Sequence, residues 1–176
     1  MIRVWTVLSA LMLGCVGGLV RAQTAPVSEI ALKSALFFKL PQFVYRAEEA
    51  RDQPLSVCLL GNSAYAAPFE KLAQSPIDGR TVKFTKLVAI NDIRACDFIF
   101  LTQSESSQVD AILRRVASMP VVTVSDIAGF AKAGGMVELA MGGAGTPVSI
   151  LINRKAARQQ NVEFNAQLLR LAKVVE

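Results

Sequence analysis

Histidine is missing from all 176 residues. That absence removes Ser-His-Asp and Cys-His catalysis, every histidine-bearing zinc site and the usual acid-base group near neutral pH. Long basic runs are missing as well: the only adjacent basic residues are Arg114-Arg115 and Arg154-Lys155. Both pairs read as solvated helix faces, so no nucleic-acid partner is expected. Acids are equally scattered. Glu48-Glu49, the only adjacent acidic pair, sits in a polar link that reads as a solvated loop rather than a pair of catalytic carboxylates. No cofactor, metal or catalytic residue is expected, and the chain does not read as an enzyme.

Charged residues make up 19% of the chain and hydrophobic ones 52%, a balance that argues against intrinsic disorder. Part of that hydrophobicity lies at the N-terminus. Residues 1–22 read as a secretory signal: Arg3 supplies the positive start, 4–13 the apolar run, and Val20-Arg21-Ala22 the small residues before a cleavage ahead of Gln23. Two alternatives stay open, lipidation at Cys15 and an uncleaved anchor over 4–20. Without Arg3 and Arg21 the exported chain, 23–176, carries 17 basic against 14 acidic residues, a net charge of +3. Its length suits a single domain, and its expected location is the periplasm.

Removing the leader also removes one of three cysteines. Cys58 and Cys96 are left as an even pair in an oxidising compartment, where a structural disulfide is the simplest reading and a redox switch or free thiols are the alternatives. Closing that loop would stabilise by roughly 4 kcal/mol in the chain-entropy model.

Along the chain, Ser28 can cap a helix whose Ile30, Ala31, Ser34, Ala35, Phe37 and Phe38 trace a stripe, with Pro41 interrupting it. Apolar runs over 55–61, 96–102 and 120–124 read as buried strands, and 81–88 as an alternating one. Helices are expected over 67–74 and from a Ser104 cap to about 118. This strand-helix-strand rhythm predicts an α/β fold with a mixed, mostly parallel sheet of five to six strands flanked by helices. The rhythm then changes. A short helix is expected over 129–134, followed by an antiparallel hairpin of 136–141 with 148–152 that forms a sheet edge. Asn153 and Asn165 can cap two closing helices, the second packing Leu168, Leu169, Leu171 and Ala172 inward.

Gly142 to Gly145 does not read as a phosphate loop, because Pro147 and a strand follow it instead of a helix. Ser125-Asp126 follows a buried strand, where open α/β sheets commonly hold ligands, although a plain helix cap explains it too. Gly61-Asn62 ends another strand at the same edge. Gly61, Asn62, Ser125 and Asp126 are therefore the candidate crevice for a ligand or partner.

Taken together, K-S-A-L-F-F-K-L-P-Q-F-V (33–44), V-C-L-L-G (57–61), the D-G-R turn (78–80), the Cys96 strand, V-S-D-I-A-G-F-A-K-A-G-G-M-V (124–137), I-N-R-K-A-A-R (152–158) and L-L-R-L-A (168–172) resemble the YfiR family of periplasmic regulators. The resemblance implies an α/β fold, often dimeric, that restrains a membrane-bound diguanylate cyclase by binding its periplasmic part. It implies a second partner, an OmpA-like peptidoglycan-binding lipoprotein that relieves the restraint, and an output in cyclic di-GMP signalling and biofilm formation. Cys58 and Cys96 resemble the family's more widespread cysteine pair, and the second pair of some members is absent. One departure stands out: where the family commonly has Phe-Val, a variable residue and Trp-Pro, this chain has Phe43-Val44-Tyr45-Arg46-Ala47. A periplasmic small-ligand sensor serving a histidine kinase or an outer-membrane transport system is the competing reading.

Overall fold

The structure is a computed structural model, and it describes residues 28–46, 52–142 and 148–175. The leader and Cys15, the Glu48-Glu49 pair, and Gly143 to Pro147 lie outside the described residues.

The chain opens with α1 (Glu29–Lys39), capped as expected by Ser28, whose Oγ accepts the Ala31 N–H at 3.2 Å. Its inward face differs from the expected stripe: Lys33, Ser34, Phe37 and Phe38 are buried, whereas Ala35 is exposed. Ala35 stands two residues, about 200°, from both Lys33 and Phe37, so it points away from the face they share. A 3-10 turn (Leu40–Phe43) carries Pro41 in its first positions, so the proline ends the α-helix as expected.

The elements that follow are β1 (Val44–Arg46), β2 (Leu55–Leu60), α2 (Ala66–Ala73), β3 (Val82–Leu87), β4 (Phe98–Leu101), α3 (Val109–Val116), β5 (Val122–Ser125), β6 (Val137–Met141), β7 (Val148–Asn153), α4 (Arg154–Gln159), β8 (Val162–Phe164), α5 (Ala166–Leu171) and β9 (Lys173–Val175). Seven strands form one sheet in the order β3-β2-β4-β5-β6-β7-β9, and β1 pairs antiparallel with β8 in a separate ribbon. Within the large sheet only β6 and β7 run antiparallel to each other. The α/β architecture and the mostly parallel sheet match the expectation, with one or two strands more than expected.

Three differences have local causes. Ser104 does not cap a helix: its Oγ meets Thr102 Oγ1 at 2.8 Å and Glu105 Oε1 at 3.0 Å, a 3-10 segment (Gln103–Gln108) intervenes, and α3 starts only at Val109. Residues 129–134 form turns rather than a helix, because the buried Glu138 carboxylate accepts the Gly129 and Ala131 N–H groups, each at 3.0 Å. The last helix stops at Leu171, and the chain turns into β9 beside β7. The hairpin is therefore one strand in from the edge. Leu168 packs inward, Leu169 and Ala172 are partly buried, and Leu171 at 74% exposure faces outward.

Strand alternation divides the core. Val57, Leu59, Phe98 and Phe100 face a layer built from α1, α2, α4 and α5, where Phe37 and Phe69 stack at 5.1 Å between centroids. Cys58, Leu60, Ile99 and Leu101 face α3 through Val109, Ile112 and Val116. Parallel strands covered on both faces explain why the sequence shows continuous apolar runs. The Cys58–Cys96 disulfide lies in this second layer, joining β2 to the residue two before β4, with a Cα–Cα separation of 5.8 Å.

Candidate functional site

The carboxyl ends of the parallel strands gather the four residues expected to form a crevice, but not as an open one. β4 stands between β2 and β5, so the Gly61-Asn62 loop and the Ser125-Asp126 loop are not direct neighbours. The loop after β4 fills the interval. Thr102 Oγ1 accepts the Asn62 N–H at 2.7 Å, and Asn62 Oδ1 accepts the Ala64 N–H at 2.9 Å. Gly61 has φ +109°, and a Cβ there would fall 2.2 Å from Thr102 Oγ1. Glycine is thus dictated both by the backbone and by the approach of the next loop.

Ser125 is fully buried and closes its own turn: its hydroxyl donates to Leu101 O at 2.8 Å and accepts the Ile127 N–H at 2.9 Å. Asp126 behaves differently. Its Oδ2 accepts the Tyr65 hydroxyl at 2.6 Å and lies 3.8 Å from Lys33 Nζ, which also pairs with Glu29 at 2.5 Å. Its Oδ1 is buried without a hydrogen-bond partner. Burial, then the hydrogen bond and negative charge of Asp126, then the charge of Glu29 push the Tyr65 phenol far above its ordinary range, so it remains a donor. Tyr65 therefore crosses the end of β4 to join the two loops, a contact that sequence reading missed. Lys33 carried one usable signal, its i,i+4 spacing from Glu29.

The opposite end of the sheet holds a second network, also missed. Arg46 Nη2 lies 2.7 Å from Asp97 Oδ1, its Nη1 donates to Pro120 O at 3.1 Å, and its guanidinium sits 5.6 Å from the Phe98 ring centroid. Asp97 Oδ2 accepts the Ser56 N–H at 2.8 Å. This ties β1, β2, β4 and the start of β5 together. Arg46 Nε and Gln160 Oε1 are buried without partners, and both residues line a cavity of about 160 Å³ with Met119, Pro120 and Asn161. Larger concavities lie alongside, about 410 Å³ between Tyr45, Arg158 and Glu163, and about 550 Å³ against α4.

Among the described residues no three His, Cys, Asp or Glu side chains come together as a metal site, and no helix is long and apolar enough to cross a membrane.

Comparison with solved structures agrees with the fold. The crystal structure of a conserved domain protein from Vibrio cholerae O1 biovar eltor strain N16961 gives a TM-score of 0.59 at 12% identity, covering 86% of this chain and 62% of that one. The ABC domain from Streptococcus pneumonia in complex with L-Trp gives 0.54 at 15% identity, covering 84% and 60%. The chain thus spans about three fifths of each. At these identities the likeness speaks for the fold alone. No curated protein matches the chain. The family model described as YfiR/HmsC-like matches residues 30–173, from the first turn of α1 to the start of β9, and the chain therefore belongs to the YfiR/HmsC-like family.

Proposed function

We propose that this protein is an exported, non-enzymatic regulator that restrains a membrane-bound diguanylate cyclase by binding its periplasmic part, and so lowers cyclic di-GMP and surface attachment. Membership of the YfiR/HmsC-like family across 30–173 carries this reading, because the family is one of periplasmic regulators of diguanylate cyclase signalling rather than of catalysts. The mature chain is a single domain beginning after residue 22 and working in the periplasm. An OmpA-like peptidoglycan-binding lipoprotein relieves the restraint by sequestering it, and the regulator itself works as a homodimer. The Cys58–Cys96 disulfide supports an oxidising location. The test is a pull-down with the periplasmic domain of a cyclase encoded beside this gene, paired with cyclic di-GMP measurement after deletion. Capture and a rise in the nucleotide are expected; neither one appearing would end the proposal.

A second reading, a small-ligand sensor serving a histidine kinase or an outer-membrane transport system, is favoured by one observation. Asp126 Oδ1 is buried with no donor, and a ligand bearing an N–H or O–H would satisfy it once the loop after β4 swings clear of Gly61, Asn62, Ser125 and Asp126. Thermal-shift screening against amino acids, vitamins and nucleotides reads it: a melting rise abolished in Asp126→Asn supports a sensor, and a flat panel removes it.

A further inference from the structure

The I-N-R-K-A-A-R motif contributes no side chain to either polar network; its Asn153 instead caps α4 and donates to Ala131 O. Its outer face is nevertheless unusual. In α4, Ala156 and Ala157 are buried against the core, which turns Arg154, Lys155 and Arg158 outward together. The i,i+4 and i,i+3 spacings put all three cations on one side of the helix. None of the three has an ion-pair partner among the described residues, unlike Lys33, Arg46 and Arg80, which each meet a carboxylate.

The surface is also concave. Arg154, Lys155, Arg158 and Gln159 line about 550 Å³, and Arg158 shares its other side with the 410 Å³ concavity bounded by Tyr45 and Glu163. Tyr45, 55% exposed, stands across the β1–β8 ribbon from Glu163. Three unpaired cations beside a trough with an exposed aromatic form a surface complementary to an extended acidic segment, the aromatic supplying packing area and the charges orientation.

We propose that the outer face of α4, with the trough beside it, is the docking surface for an acidic segment of the protein partner. The choice of a protein rests on the regulatory reading above, and the shape favours it over an anionic membrane. A flat lipid surface would bring its phosphates against Glu163 and leave the trough empty, whereas a polypeptide fills the trough and offers donors to Glu163.

The test maps hexaglutamate peptide binding to the exported chain by amide chemical shifts, in wild type, in Arg154→Glu/Arg158→Glu and in the control Arg114→Glu/Arg115→Glu on α3. Shifts confined to 154–163 and Tyr45, lost in the α4 variant, kept in the control and screened out by salt are expected. No shifts, scattered shifts, or shifts centred on Arg114-Arg115 overturn the proposal. So does retention by phosphatidylglycerol vesicles through α4 with no peptide response, which would hand the face to a membrane. All four replaced side chains are exposed, and an unchanged circular dichroism spectrum establishes that each variant is folded. The cyclase periplasmic domain then separates the two claims. Wild-type binding weakened at least about tenfold by the α4 reversal upholds both. Binding indifferent to that reversal overturns only the docking surface, and absent binding with the peptide map intact removes only the cyclase reading.

Discussion

Arg46 Nη2 reaches Asp97 Oδ1 at 2.7 Å, joining the short β1–β8 ribbon to the amino end of the main sheet. Only 7% of the Arg46 side chain is exposed, against 26% for Asp97. Removing the arginine leaves a mostly buried carboxylate with one backbone N–H and the more distant Arg80 at 3.9 Å. Arg46→Met is expected to cost about 2 kcal/mol, less than a fully buried pair because Asp97 retains water and a second cation. A double-mutant cycle with Asp97→Asn, followed by urea unfolding, checks it. Strict additivity of the two losses would mean that the pair contributes nothing as a pair.

Tyr65 makes stability depend on alkaline pH. Its folded pKa is raised by burial first and by Asp126 second, so the folded chain keeps the proton that an unfolded tyrosine gives up near pH 10. The contribution is complete below that unfolded value and is lost as pH rises beyond it, at up to about 1.4 kcal/mol per pH unit for this group. Tyr65→Phe is expected to flatten the fall in urea midpoint above pH 10 while lowering stability at pH 7 through the lost hydrogen bond to Asp126. Equal slopes for the two proteins would show that Tyr65 does not retain its proton in the folded state.

What the sequence made legible follows from what each signal depends on. Apolar runs such as F-I-F-L (98–101) and the caps Ser28, Asn153 and Asn165 depend on neighbouring residues, and each stands where expected. β8 and β9 have three residues each, and their pairing with β1 and β7 is set by tertiary register that no local pattern encodes. Polar partners were the least visible. Lys33 and Asp126 are 93 positions apart by numbering, and Arg46 and Asp97 are 51 apart, so only the folded sheet brings each pair together. Gly61-Asn62 and Ser125-Asp126 stand at the ends of β2 and β5, and the position of β4 between them is a matter of strand order that no local pattern encodes. Arg46 offered one hint, the departure of Phe43-Val44-Tyr45-Arg46-Ala47 from the resembled pattern, and its guanidinium packs beside Phe98.

Cys58 and Cys96 close a loop of 38 positions, both sulfurs inside the layer beneath α3. The intact exported protein is expected to gain two hydrogens in mass on reduction after unfolding. Replacing both cysteines by serine should lower stability by roughly 4 kcal/mol, most of it through the freer unfolded chain. Because Cys58 is 2% exposed and Cys96 5%, the folded protein should resist reduction that the unfolded one undergoes readily. Equal reduction rates in the two states would show that burial gives the bond no protection.

Gly61 places a steric demand on the carboxyl edge that the expected crevice did not anticipate. Its φ of +109° is costly for any L side chain, and an added Cβ would stand 2.2 Å from Thr102 Oγ1 and 2.6 Å from Ser104 Oγ. Thr102 cannot simply rotate away, since its Oγ1 accepts the Asn62 N–H at 2.7 Å and the residue is 1% exposed. Gly61→Ala is therefore expected to cost about 3 kcal/mol, combining backbone strain with overpacking. Thr102→Ser in the same background keeps the hydroxyl and so should restore little, whereas Thr102→Gly should recover only part of the packing share, because Ser104 Oγ still stands 2.6 Å from the added Cβ and the Asn62 N–H loses its acceptor, and it leaves the strain. Urea unfolding of the three variants reads the split. A Gly61→Ala protein as stable as the parent would mean that the loops after β2 and β4 part freely, and that the carboxyl edge is an open crevice after all.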